Sequence, residues 1–122
     1  MTGSAERIEV AVAREMWAAG DLVVDVRLPE EYALGHIPGA INVPVDRLPG
    51  HELPPGSILT VCSMGNRSWR AAQLLATAGR EALSIQGGTK AWAAAGFPVE
   101  TAEGPRPRRR FWRPRSRRPS PR

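Results

Sequence analysis

Four short runs of apolar, largely β-branched residues alternate along this chain with segments whose apolar positions recur every three to four residues, and that alternation restricts the possible fold most. The strand-like runs are Leu22-Val23-Val24-Asp25-Val26, residues 40–43, Ser57-Ile58-Leu59-Thr60-Val61 and Ala82-Leu83-Ser84-Ile85. Between them the spacing predicts a helix over 10–19 that stops at Gly20. A short helix opens at Pro29 with Glu30 and Glu31 in its first turn, where negative charge favours the positive end of the helix dipole, and closes near Gly35. A third carries Ala71, Leu74, Leu75 and Ala78 to a Gly79 cap. Thr89 is the expected cap of a fourth, which runs through Ala95 until Gly96 and Pro98 end it. Alternation of this kind implies an α/β domain: an open, mostly parallel sheet with helices on both faces and ligands bound beyond the carboxyl ends of its strands.

The 122 residues suffice for one core, and the charge divides them in two. Residues 1–103 hold eight Lys/Arg against twelve Asp/Glu, whereas residues 104–122 hold nine arginines, five prolines and no acid. A body near −4 and a tail of +9 make up the net +5, so the basic balance describes the tail and not a polyanion-binding domain surface. With so little apolar area to offset ordering entropy, residues 104–122 are expected to be a disordered Arg/Pro-rich tail, with the domain itself ending near Thr101. Phe111 and Trp112 are the tail residues that would stack on bases in a nucleic-acid contact; the tail is read instead as solvated and assigned no function.

A single cysteine, Cys62, cannot close an internal disulfide, which points to a reducing compartment. No apolar stretch approaches the ~18 residues of a membrane span, and residues 1–14 lack a cationic segment followed by an apolar run. The expectation is a soluble, cytoplasmic protein without membrane contact. Cys62 stands where the third strand hands over to the third helix, in Val61-Cys62-Ser63-Met64-Gly65-Asn66-Arg67-Ser68. Backbone N–H groups of a strand-to-helix loop converge on its centre and make an anion nest. A thiolate there is stabilised by those donors and by the helix dipole, which lowers the cysteine pKa from its free value of about 8.5. A lone cysteine is otherwise a small buried apolar residue. Gly65 and the cationic Arg67 beside this one mark the electropositive, partly exposed setting of a nucleophile.

Taken in order, Asp25-Val26-Arg27, Glu31-Tyr32, Gly35-His36-Ile37-Pro38-Gly39-Ala40-Ile41-Asn42, the Cys62 loop, and Gly87-Gly88 with Trp92 resemble the rhodanese family over roughly residues 6–100. The resemblance implies an open parallel sheet and a six-residue active-site loop running from Cys62 through Ser63, Met64, Gly65 and Asn66 to Arg67. It also implies covalent chemistry: Cys62 takes sulfane sulfur from thiosulfate or a persulfide and holds it as a persulfide, and a thiol or cyanide removes it. The partners would be a small-molecule or protein sulfur donor and a thiol acceptor; no metal or organic cofactor is required. In the same light Asp25, Arg27 and Glu31 become structural support, with Arg27 pairing with Glu31, and Arg67 becomes a rim charge for an anionic donor.

His36 is read as part of a turn, the Gly87-Gly88 pair as a backbone bend and Trp92 as core. Two other functions remain. A cysteine phosphatase or arsenate reductase loop places five residues between cysteine and arginine, and here four intervene. A non-catalytic rhodanese-like regulatory or protein-binding module would tolerate loss of the cysteine that this chain keeps.

Overall fold

A computed structural model describes residues 3–101 and the backbone of 104–105. Its elements, in chain order, are β1 Ser4–Ile8, α1 Val10–Ala18, β2 Leu22–Asp25, α2 Pro29–Leu34, β3 Ile41–Asn42, a 3-10 turn Val45–Arg47, β4 Ile58–Val61, α3 Asn66–Thr77, β5 Glu81–Ile85, α4 Gly88–Ala94, β6 Glu100–Thr101 and β7 Gly104–Pro105. The first five strands form one sheet in the order β1-β5-β4-β2-β3, and every pairing in it is parallel. β6 and β7 pair antiparallel apart from it. That pairing straddles the boundary expected at residue 103; residues 106–122, which carry the expectation of a disordered tail, lie outside the described residues.

β4 is buried along its whole length because both faces of the sheet are covered, which is why its sequence reads as a continuous apolar run. On one face Ala71, Ala72 and Leu75 of α3 pack over Val24, Ile58 and Ala82. On the other, Ala13 of α1 and Trp92 of α4 pack over Val23, Leu59, Val61 and Ile85. Trp92 meets Trp17 and Phe97 edge to face with ring centroids 5.5 and 5.2 Å away. Its buried indole N–H donates to the Pro98 carbonyl at 2.6 Å, so the ring gives its apolar area to the core without leaving a polar atom unpaired.

Two further departures from the expectations concern β1 and α4. β1 does not read as a strand because Ser-Ala-Glu-Arg-Ile is half polar; it lies at the sheet edge, beside β5 only, and is mostly exposed. Thr89 is not the cap of α4. That position belongs to Gly87 with φ 78°, and Thr89 lies inside the first turn, where its N–H is directed at the neighbouring loop.

The strand order sets the site. β4 lies between β5 and β2, so the residue after Val61 emerges at the middle of the sheet's carboxyl edge. The segments leaving β2 and β5 flank it, and Val26 N–H donates to the Val61 carbonyl at 2.9 Å.

Candidate active site

Cys62 is that residue. Its loop turns at Gly65, whose φ of 117° is open to glycine and strained for any other residue, and enters α3 at Asn66. A glycine at the N-cap has no side chain to satisfy the first N–H groups of the helix. The cysteine sulfur takes that role: Gly65 N–H donates to Sγ at 3.1 Å and Ser68 N–H, in the first turn of α3, at 3.3 Å. The Ser68 hydroxyl lies 3.5 Å from the same sulfur.

Two opposed effects act on the thiol. Burial pushes its pKa up; hydrogen bonds from the Ser68 hydroxyl and from the N–H groups of Ser68, Gly65 and Met64 outweigh burial and bring it below its ordinary value. Cys62 is only 1% exposed, more enclosed than the partly open setting expected, because the loop wraps around the sulfur from Ser63 to Ser68. Met64 projects outward at the tip of the loop, 65% exposed.

The loop is held from behind by α4. Thr89 N–H donates to the Cys62 carbonyl at 2.8 Å and Lys90 N–H to the Ser63 carbonyl at 3.2 Å. These bonds commit the two carbonyls to α4, while the N–H groups of Met64, Gly65 and Ser68 face the sulfur. The approach requires glycine at 88, where a Cβ would stand 2.2 Å from the Cys62 carbonyl oxygen. The Gly87-Gly88 pair, read from sequence as a bend, is therefore also the contact surface that shapes the loop. A Gly-Gly before a helix looks the same in sequence with or without such a neighbour.

The expected Arg27 to Glu31 pair does not form. Arg27 instead grips Asp25, Nε to Oδ1 at 2.9 Å and Nη2 to Oδ2 at 2.7 Å, and Nη2 also donates to the Gly35 carbonyl at 2.7 Å. Two residues apart at the end of β2, Asp25 and Arg27 are near enough to close a compact buried ion pair, and this leaves Glu31 for another partner. That partner is Arg67: its Nη1 donates to Glu31 Oε1 at 2.8 Å and its Nη2 to Oε2 at 3.1 Å, with Ser63 Oγ also 3.1 Å from Nη2. The Arg67 guanidinium beside it holds the Glu31 carboxyl at about 2, below the usual 4.5. Arg67 thus stands beside Ser63 of the loop with its charge balanced by Glu31.

His36 is buried, stacked on Tyr32 at 3.7 Å between centroids, and its segment bridges to Glu100. It belongs to the wall of a cavity of about 500 Å³ next to the loop, lined also by Glu31, Leu34, Lys90, Trp92 and Val99. Sequence reasoning passed over Ser68, Ser84 and the α4 N–H groups. The available signal was a serine inside a buried apolar strand. Among the described residues no cluster of His, Cys, Asp or Glu suits a metal ion, and no helix is long and apolar enough to cross a membrane.

Comparison with known proteins gives a consistent result. The chain is similar to thiosulfate sulfurtransferase GlpE of Ectopseudomonas mendocina, 38% identical over 81% of this chain and 94% of that protein. It is also similar to thiosulfate sulfurtransferase 16, chloroplastic, of Arabidopsis thaliana, 34% identical over 76% of this chain and 91% of that one. Among solved structures, a rhodanese-related protein from Thermoplasma volcanium superposes with a TM-score of 0.71 at 31% identity, covering 77% of this chain and 96% of its own. Residues 9–95 match the family described as the Rhodanese-like domain, and with a parallel five-stranded sheet that presents Cys62 at its carboxyl edge, the chain belongs to that family.

Proposed function

We propose that this protein is a sulfurtransferase that carries sulfane sulfur on Cys62. The observation that carries the reading is the seat of the sulfur: Sγ accepts from the N–H groups of Gly65 and Ser68 at the head of α3, in a loop whose Cys62 and Ser63 carbonyls are bonded to α4. Such a seat stabilises an anion on sulfur both before and after it takes up a second sulfur atom. The names of the relatives, thiosulfate sulfurtransferases, support the same chemistry.

The reaction runs in two displacements. The Cys62 thiolate attacks the outer sulfur of the donor; a new S–S bond forms, the donor's own S–S bond breaks, and its electron pair leaves with the departing group, sulfite when the donor is thiosulfate. An acceptor thiolate then attacks the outer sulfur of the persulfide, departs as a persulfide itself and returns Cys62 as thiolate; cyanide in its place leaves as thiocyanate. Ser63, Met64, Gly65 and Asn66 supply the loop, Arg67 its rim, and Asp25 with Arg27 the support behind it. Neither displacement calls for a metal or organic cofactor.

The balanced charge of Arg67 and the neutral side chains of Ser63 and Met64 favour donors of low charge, such as an alkyl persulfide, over thiosulfate. Competition between the two donors for loading of the protein, followed by intact mass, tests this preference. Faster loading from the persulfide at equal concentration is expected; faster loading from thiosulfate contradicts it.

A further inference from the structure

Behind Cys62, on the α3 side of the sheet, lies a file of buried hydroxyls that the two displacements do not use. Thr60 of β4 and Ser84 of β5 are register partners, and Ser68 of α3 sits over them; none of the three is more than 1% exposed. The Thr60 hydroxyl donates to the Ser68 carbonyl at 2.8 Å, so its hydrogen is committed. Ser68 and Ser84 stand 2.8 Å apart, oxygen to oxygen, and Ser68 Oγ is also 3.2 Å from the Gly65 carbonyl and 3.5 Å from Cys62 Sγ.

Counting hydrogens decides the direction of the middle bond. Among the described residues the Ser84 hydroxyl has Ser68 Oγ as its one partner. A buried donor left unused costs about 1–3 kcal/mol, so Ser84 donates and Ser68 accepts. The hydrogen of Ser68 itself then has two acceptors within reach, the Gly65 carbonyl and the cysteine sulfur. While the cysteine is a thiol, S–H donates to Ser68 Oγ and the Ser68 hydrogen rests on Gly65. Once the sulfur is an anion, that hydrogen turns to it and joins the N–H groups of Ser68, Gly65 and Met64 as a further donor.

We propose that Ser84 is a positioning residue for Cys62: by donating to Ser68 it fixes the Ser68 oxygen in place and polarises its O–H, so that the Ser68 hydrogen is held ready for the sulfur anion. The inference rests on the reading of Cys62 as a reactive thiolate. Charged side chains around the loop are balanced in pairs, Arg67 of α3 with Glu31 of α2, and Arg27 with Asp25 at the end of β2. Arg70 of α3 and Lys90 of α4 are exposed, and the Glu81 carboxylate lies at the opposite end of β5 from the loop.

The test is the pH profile of Cys62 alkylation by iodoacetamide in the full chain, which reads the thiolate whether or not the protein transfers sulfur. A chain that fails to take up sulfur therefore leaves this result interpretable. Ser84→Ala removes one oxygen and is expected to raise the apparent thiol pKa by about one unit, a tenfold loss of thiolate below it. Ser68→Ala is expected to raise it at least as far. Ser84→Ala added to Ser68→Ala should change nothing more, because the first serine acts through the second. Ser84→Thr keeps the hydroxyl and should keep the wild-type profile. An unchanged profile in Ser84→Ala, additive shifts in the double variant, or a Ser84→Thr profile that follows Ser84→Ala would each overturn the proposal.

Discussion

The Glu31 carboxylate and the Arg67 guanidinium, 36 residues apart in the chain, meet in a two-point pair at 2.8 and 3.1 Å across the mouth of the Cys62 loop. The pair joins α2 to the start of α3 and cancels the cation nearest the sulfur. Glu31→Gln keeps an oxygen for Arg67 but removes the negative charge. Loading of Cys62 from thiosulfate should then rise about three- to tenfold at low salt, and the gain should fade as salt is added. Stopped-flow measurement of sulfite release checks it; an alkyl persulfide, of lower charge than thiosulfate and followed by release of its thiol, serves as the control and should respond less.

The same pair has an acid signature. Because the Glu31 carboxyl titrates at about 2 in the fold and at 4.5 in the ordinary case, the pair contributes stability above pH 4.5 that is lost as pH falls toward 2. Both side chains are partly exposed, so solvent screens the contribution and the slope should be shallow. Thermal melts between pH 6 and pH 2 should show wild type losing more stability through this window than Arg67→Met, in which the carboxyl has no cation to hold it down.

A different outcome is expected at the buried pair. Asp25→Ala leaves the buried Arg27 guanidinium without its carboxylate and, among the described residues, with the Gly35 carbonyl as its remaining hydrogen-bond acceptor, at a cost of about 3–5 kcal/mol. Denaturant titration of the variant measures this. Asp25→Ala together with Arg27→Met should recover part of the loss, since no charge then stays buried and unpaired.

Gly88→Ala addresses the loop from behind. With its Cβ 2.2 Å from the Cys62 carbonyl oxygen, alanine forces the loop away from α4 and spoils the convergence of N–H groups on the sulfur. The rate of sulfur loading should fall about 10- to 100-fold, as misplacement of a reacting group by about 1 Å does. Single-turnover loading, with circular dichroism to verify that the sheet persists, separates a displaced loop from a lost fold.

What the sequence disclosed and what it hid follow from the range of each interaction. The strand-to-helix step at Cys62 was legible because it is written locally: an apolar run, a glycine able to take positive φ, then helical spacing from Ala71 onward. β1 was hidden because an edge strand needs neither a continuous apolar run nor a buried face, and Glu6 and Arg7 resemble loop residues. The partner of Glu31 was hidden for another reason. Arg27 and Arg67 are equally good partners by chemistry, and only the fold, by bringing α2 against the loop, decides between them. Ser68 and Ser84 acquire meaning only when β5 and α3 are stacked, although a serine in the apolar run of β5 already marked a polar contact within the core.

The central claim is that Cys62 carries sulfur, and intact-mass analysis of the full chain after exposure to a sulfane donor tests it most directly. Wild-type protein should gain one sulfur atom per chain, removed again by cyanide or by excess thiol, and Cys62→Ala that still folds should gain none. A folded wild-type protein that gains no sulfur from thiosulfate or from an alkyl persulfide, while its thiol reacts normally with iodoacetamide, would contradict it.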